Sequence, residues 1–216
     1  MSYDCVLFDL DGTLLDSTEL IIASYRHTLE AVGHPAPSDE EVISGFGTPL
    51  LDNLRRMGPE ERTEEMIEIY SEHNGAHHDQ MVRAFPGARE VVETLAVEGR
   101  RLGVVTGKRR FYALKGLSFL GLLDHFETVI TPERTKRGKP APDPVLAALE
   151  DMDCRPEDTL FVGDSVHDMR AGQQAGTAVG AATWGPFRRE ALVATQPDYV
   201  LETLEELLEL TRNLRS

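Results

Sequence analysis

The feature that most limits the fold of this chain is a series of short, uninterrupted apolar segments, most of them followed by an amphipathic stretch of helical length. Cys5-Val6-Leu7-Phe8, Leu102-Gly103-Val104-Val105, Thr128-Val129-Ile130, Thr159-Leu160-Phe161-Val162 and Ala178-Val179-Gly180-Ala181 read as strands, with a shorter candidate at Pro197-Asp198-Tyr199-Val200. None alternates polar with apolar residues, so each is expected to be covered on both faces, as in a parallel sheet. Amphipathic stretches occupy 87–98, 109–120, 143–152, 167–175 and 202–214. Alternating strand and helix predict an α/β fold built on a doubly wound, mostly parallel, Rossmann-like sheet.

The alternation fails once. Residues 16–83 contain no good strand, and this is too long for a loop in a compact domain. Helical patterns appear near 17–32, 39–44, 48–57 and 60–80, separated by Gly and Pro. The segment is expected to be a helical insert with hinges near 13–17 and 81–86. Residues 1–15 and 84–216 then form the core, and 16–83 a second, helical unit. A length of 216 residues suits one large domain with such an insert.

Charge removes several function classes. The chain carries 22 Lys and Arg against 37 Asp and Glu, a formal charge of −15. That is the wrong sign for binding nucleic acid or an anionic membrane surface. Residues 16–83 hold 14 acidic residues against 5 basic ones, so they carry most of the excess. Cys5 and Cys154 are too few for a disulfide framework or a zinc site. Cys5 lies in an apolar run and reads as an inert core thiol. No basic leader precedes the first strand and no long apolar run occurs, so a reducing cytoplasm is the expected location.

In open α/β sheets, ligands bind beyond the carboxyl ends of the strands. After the first strand comes Phe8-Asp9-Leu10-Asp11-Gly12-Thr13. Asp9 and Asp11 are two apart, so in extended chain their carboxylates share a side. Such a pair suits a nucleophile beside a general acid/base, although an acidic turn is the plainer reading. After the second strand, Thr106-Gly107-Lys108 offers a hydroxyl and N–H groups to an anion; alternatively Thr106 caps the helix at 109. After the third comes the basic run Arg134-Thr135-Lys136-Arg137-Gly138-Lys139-Pro140. Lys136 and Arg137 read as solvated, whereas Lys139 is stiffened by Pro140, Pro142 and Pro144 and could meet a phosphate. After the fourth, Gly163-Asp164-Ser165-Val166-His167-Asp168 sets two more carboxylates four apart. With the first pair they suggest Mg²⁺, a hard ion that takes oxygen ligands.

Four motifs in this order, each after its own strand, resemble the haloacid dehalogenase (HAD) superfamily of phosphohydrolases. The resemblance covers essentially the whole chain, with 16–83 as the helical cap. It implies that Asp9 attacks phosphorus to form an aspartyl-phosphate. Asp11 would protonate the leaving group and then activate water. Mg²⁺ would be held by Asp9, the Asp11 carbonyl, Asp164 and Asp168. Thr106, Gly107 and Lys108 would hold the phosphoryl oxygens, and Lys139 would cancel charge.

Dehalogenating relatives replace Asp11, which is present here. Sugar-phosphate mutases of the family carry a basic cap-loop residue, and Gly45-Phe46-Gly47-Thr48-Pro49-Leu50-Leu51 has none. Phosphonate-cleaving relatives need a cap lysine, and 16–83 has no Lys. The nearest likenesses are HAD-type inorganic pyrophosphatases and phosphoglycolate phosphatases. The loop with Phe46, Gly47 and Thr48, and the segment Glu72-His73-Asn74-Gly75-Ala76-His77-His78-Asp79, look like the pyrophosphatase group. His73 and His77, four apart, could face the site together, or lie on a solvated helix face. The expected activity is Mg²⁺-dependent hydrolysis of a small phosphate compound, with pyrophosphate preferred. A phosphoglycolate phosphatase or broad phosphomonoesterase is the alternative, and a non-catalytic phosphate-binding protein the second. The expected partner is a small-molecule phosphate substrate, with no nucleic acid and no membrane, and a monomer or homodimer.

Overall fold

The computed structural model describes residues 3–213. Met1 and Ser2, read for a leader, and residue 214 of the last predicted helix lie outside them. In chain order the elements are β1 (Cys5–Phe8), β2 (Leu15–Asp16), α1 (Thr18–Ala31), α2 (Asp39–Ile43), α3 (Leu50–Met57), α4 (Thr63–Met81), β3 (Arg83–Ala84), α5 (Ala88–Val97), β4 (Arg101–Val105), α6 (Arg110–Leu120), β5 (Thr128–Ile130), α7 (Asp143–Asp151), β6 (Thr159–Gly163), α8 (Val166–Ala175), β7 (Ala178–Ala182), α9 (Arg189–Val193), β8 (Tyr199–Leu201) and α10 (Glu206–Asn213).

All six apolar segments become strands of one parallel sheet, in the order β5-β4-β1-β6-β7-β8. The continuous apolar character of β1 is explained by its place. It lies between β4 and β6, and all four of its residues are buried. One face of the sheet packs Val6, Phe8, Val104 and Val162 against Val91, Leu95 and Leu117 from α5 and α6. The other packs Leu7, Val105 and Phe161 against Val145, Ala148 and Ala171 from α7 and α8. Strand order steps outward in opposite directions from β1, so the carboxyl ends of β1, β4 and β6 flank a crevice at the switch point.

Residues 18–81 are helical, as the sequence predicts. They have a core of their own, in which Tyr25, Leu29, Val42, Phe46, Leu54 and Met66 pack together. Ser38 starts α2 with a reciprocal cap: its hydroxyl accepts from the Glu41 N–H while Glu41 accepts from the Ser38 N–H. Where the chain enters and leaves this segment, β2 and β3 pair antiparallel, Leu15 with Ala84 and Asp16 with Arg83. This ribbon was not predicted. Two-residue strands carry no periodicity.

One expectation is overturned. Cys5 and Cys154 form a disulfide across 149 residues, with Cα atoms 6.6 Å apart. Cys5 is therefore not a free core thiol. Reading each cysteine by its neighbours missed that Cys154, in the turn after α7, lies against the sheet face that β1 presents. No helix among the described residues is long and apolar enough to cross a membrane.

Candidate active site

The site begins with the turn after β1. Asp9 continues the strand, its N–H donating to Val162 O at 2.9 Å. Gly12 follows at φ +91°, and a Cβ there would run into the Asp164 carboxylate. Only glycine fits this left-handed position. The turn places the Thr13 hydroxyl 3.2 Å from Asp164 Oδ1, to which it donates. Trp184, after β7, donates its indole N–H to Thr13 O at 3.0 Å and so braces the same turn.

Asp9, Asp164, Asp168 and Lys139 converge, each 3% exposed or less. Lys139 Nζ donates to Asp9 Oδ1 at 2.7 Å and to Val105 O at 3.0 Å, and lies 2.6 Å from Asp168 Oδ1. Asp168 is fixed from its other oxygen, which accepts from the Ser165 N–H and hydroxyl. Asp164 precedes α8 and Asp168 sits in its first turn, so both reach one point. The rest of the basic run stays on the surface, Arg134 paired with Asp151 and Arg137 with Asp143.

The electrostatics of this cluster are unbalanced. Burial pushes the Asp9 carboxyl up to about 7 despite the opposing pull of Lys139, and the Asp168 charge adds to the rise. Burial likewise pushes Asp164 well up, helped by Asp9 and Asp168. Burial disfavours the Lys139 ammonium, but Asp168 and Asp9 outweigh it and hold the ammonium charged. Three buried carboxylates against one ammonium leave excess negative charge in a poorly solvated place. One oxygen from each of Asp9, Asp164 and Asp168 lies within 4.8 Å of the others, and Asp164 Oδ2 is buried with no hydrogen-bond partner. An all-oxygen set with an orphaned acceptor and surplus charge fits a hard divalent cation.

Asp11 stands apart from this cluster. It accepts from Lys108 Nζ at 2.7 and 3.1 Å and from the Ser17 hydroxyl at 2.5 Å. Thr106 does not cap α6, which starts at Arg110 after Arg109. Its hydroxyl instead accepts from the Lys108 N–H at 3.1 Å, closing a turn after β4. Gly107 is needed for a close approach: a Cβ there would meet Gly47 O at 2.8 Å. The Gly45–Thr48 loop therefore seats directly on the motif after β4.

A cavity of about 80 Å³ lies between the two parts. That holds only a handful of water-sized groups, at about 10–15 Å³ each. Asp9, Asp11, Thr106, Gly107, Lys108 and Arg109 form its floor. Phe46, Gly47 and Thr48 line it. His73 and His77 do not. They stack with His27 in a ladder, ring centroids 4.5 and 4.3 Å apart, on the partly solvated side of α1 and α4. His78 is buried against Phe119 and donates from Nδ1 to Asp79 Oδ1 at 2.7 Å.

Sequence reasoning missed Tyr25, Asn53, Tyr70 and Asn74, which line the cavity from α1, α3 and α4. The signal was available for the amides. Asn53 and Asn74 fall on apolar helix faces and are 5% and 2% exposed. A buried amide there requires partners or a ligand. Asn53 donates to Gly45 O and Thr48 Oγ1 at 2.8 Å each, which ties the loop to α3.

Comparison with known proteins agrees with this geometry. The family model of haloacid dehalogenase-like hydrolases matches residues 6–182. The pyrophosphatase PpaX of Anoxybacillus flavithermus is 40% identical over 210 residues, 97% of each chain. That of Halalkalibacterium halodurans is 37% identical with the same coverage. Among solved structures, a Lactobacillus plantarum protein assigned as a phosphoglycolate phosphatase superposes with a TM-score of 0.87 at 28% identity, covering 97% of this chain and 100% of that one. With the four motifs gathered around one crevice and a family match over most of its length, the chain belongs to the haloacid dehalogenase-like hydrolase family.

Proposed function

We propose that this hydrolase is a Mg²⁺-dependent phosphatase that cleaves inorganic pyrophosphate through an aspartyl-phosphate on Asp9, as a monomer or homodimer. The observation that carries the catalytic reading is the convergence of Asp9, Lys139, Asp164 and Asp168 beside a small cavity. The preference for pyrophosphate rests on relatives of that name at 37–40% identity over nearly the full chain.

Lys139 donates to Asp9 Oδ1 and leaves the other carboxylate oxygen to act as the attacking one. The Thr106 hydroxyl and the N–H of Gly107 hold the transferring phosphoryl oxygens. Asp11 delivers a proton to an alcohol leaving group, and later takes one from the water that attacks the aspartyl-phosphate. Residues 16–83 form a cap whose Gly45–Thr48 loop closes over the floor and excludes bulk water. Asp9, the Asp11 carbonyl, Asp164 and Asp168 would hold a Mg²⁺ ion, which would supply charge neutralisation at the phosphoryl group.

The cation reading has its own test. Mg²⁺ at about 100 times its dissociation constant adds about 2.7 kcal/mol to stability. The thermal midpoint therefore rises with Mg²⁺ in the wild type and much less in Asp164→Asn. The sign with pH follows from the raised carboxyls. Protons and Mg²⁺ compete for the same oxygens, so the rise is larger above pH 7 than near pH 5.5. A rise of equal size in Asp164→Asn would remove the cation from this site.

A second reading, hydrolysis of a phosphomonoester such as 2-phosphoglycolate, is favoured by one observation. The cavity wall contributed by α1, α3, α4 and the Gly45–Thr48 loop carries no charged side chain. Phosphate release from pyrophosphate, 2-phosphoglycolate and glycerol 2-phosphate separates the two. The first reading expects kcat/KM for pyrophosphate to exceed the others by about tenfold or more. A preference for 2-phosphoglycolate would install the second.

A further inference from the structure

We propose that Lys108 makes the cavity selective for leaving groups that depart as anions, phosphate above all, by neutralising the charge that collects on the leaving oxygen. This deepens the pyrophosphatase reading and rests on it for the identity of the substrate.

Positive charge is scarce around the cavity. Among the described residues lining the cavity, Lys108 and Arg109 alone are cationic. None of the five arginines of residues 16–83 lines the cavity, and three are held elsewhere: Arg26 by Asp39, Arg62 by Glu65, and Arg56 by Glu41 O and Asn53. Arg109 is about half exposed and faces Glu133 at 4.0 Å. Lys108 is different. Its side chain is 9% exposed, and its Nζ is held 2.7 Å from Asp11 Oδ1.

Asp11 fixes where that ammonium stands relative to the reaction. The oxygen that leaves phosphorus is the one Asp11 serves in ester hydrolysis, so a cation bonded to Asp11 stands beside the same oxygen. Cleaving an alkyl ester expels an alkoxide, which needs a proton. Cleaving pyrophosphate does not. Asp9 carboxylate and the hydrogen pyrophosphate trianion give an aspartyl-phosphate dianion and the hydrogen phosphate dianion. One P–O bond forms to Asp9, the bridging P–O bond breaks, and its electron pair stays on the leaving phosphate. Water then attacks the aspartyl-phosphate, restoring the Asp9 carboxylate and releasing dihydrogen phosphate. The first step moves no proton but concentrates negative charge on the departing phosphate, beside the carboxylates. A preplaced ammonium lowers that barrier, whereas an alcohol leaving group protonated by Asp11 gains little from it.

The test compares kcat/KM on pyrophosphate, acetyl phosphate and glycerol 2-phosphate for wild type, Lys108→Met and Lys108→Arg. Ratios measured on one preparation are independent of the folded fraction. Lys108→Met is expected to lower pyrophosphate turnover by about 100-fold, the loss typical of one preorganised donor. Glycerol 2-phosphate turnover falls too, because Asp11 loses its partner, but by at least about tenfold less than pyrophosphate turnover, and Lys108→Arg restores most of the pyrophosphate rate. Equal losses on pyrophosphate and glycerol 2-phosphate would overturn the proposal, leaving Lys108 as a residue that only positions Asp11. If the wild type ignores pyrophosphate, the substrate reading fails by itself. Acetyl phosphate, whose acetate also leaves without a proton, then decides the role of Lys108. A selective loss on acetyl phosphate upholds it, and a loss equal to that on glycerol 2-phosphate overturns it.

Discussion

Asp9→Asn is expected to lower phosphate release by about four orders of magnitude or more while the protein stays folded. Losses of that size follow removal of a covalent nucleophile, because the remaining groups then act on a substrate that nothing attacks. Stability is expected to move the other way. The Asp9 carboxyl is 2% exposed and is pushed up to about 7 by burial and by Asp168, against the pull of Lys139. A carboxyl raised in the folded state favours folding when protonated and opposes it as pH rises through the folded value. At pH 8 and without divalent cation, the neutral amide removes that opposition. The thermal midpoint of Asp9→Asn should equal or exceed that of the wild type in EDTA. A fall of several degrees there would mean that Asp9 is a net stabilising partner of Lys139. Near-normal turnover would end the covalent mechanism.

Lys139→Met carries the second large effect, and here activity and stability fall together. The ammonium is 3% exposed and bridges Asp9 and Asp168. Without it, two buried carboxylates face each other with no cation. Removing one member of a buried pair costs about 3–5 kcal/mol. For a chain of this length that lowers the midpoint by about 2–4 °C per kcal/mol. Activity is lost because Asp9 loses the contact that holds its carboxylate in place. Removing Asp9 as well relieves part of the defect, so Asp9→Asn with Lys139→Met should be more stable than Lys139→Met alone. Strict additivity of the two changes would contradict direct coupling, which a 2.7 Å contact requires.

Most of this arrangement was legible in the chain, and the reason is topological. In a parallel sheet the carboxyl ends of neighbouring strands lie on one edge. Motifs after the segments that became β1, β4 and β6 therefore had to meet, whatever their separation in sequence. Lys139 enters from the segment after β5, where the proline-stiffened chain turns it inward and leaves Arg134 and Arg137 paired on the surface. Elements without periodicity were not legible: the two-residue ribbon of β2 and β3, and the five-residue α9. Helix rotation was not legible either. His73 and Asn74 are adjacent, yet Asn74 faces the cavity and His73 stacks on His27 and His77. Weighting the apolar face of α4 rather than the motif-like histidines would have selected Asn74 and Tyr70. The Cys5–Cys154 bond was not legible because pairing depends on which sheet face each cysteine reaches.

The measurement that tests the central claim most directly is acid-quench trapping of the labelled enzyme during pyrophosphate turnover with Mg²⁺. Enzyme in molar excess is mixed with pyrophosphate, quenched in acid within milliseconds and reduced with tritiated borohydride, which converts an aspartyl-phosphate to tritiated homoserine and releases the phosphate; the protein is then digested and the tritiated peptide identified. The account predicts transient label on the peptide that contains Asp9, lost in Asp9→Asn. Phosphate released at the full rate with no label on that peptide at any time would contradict it.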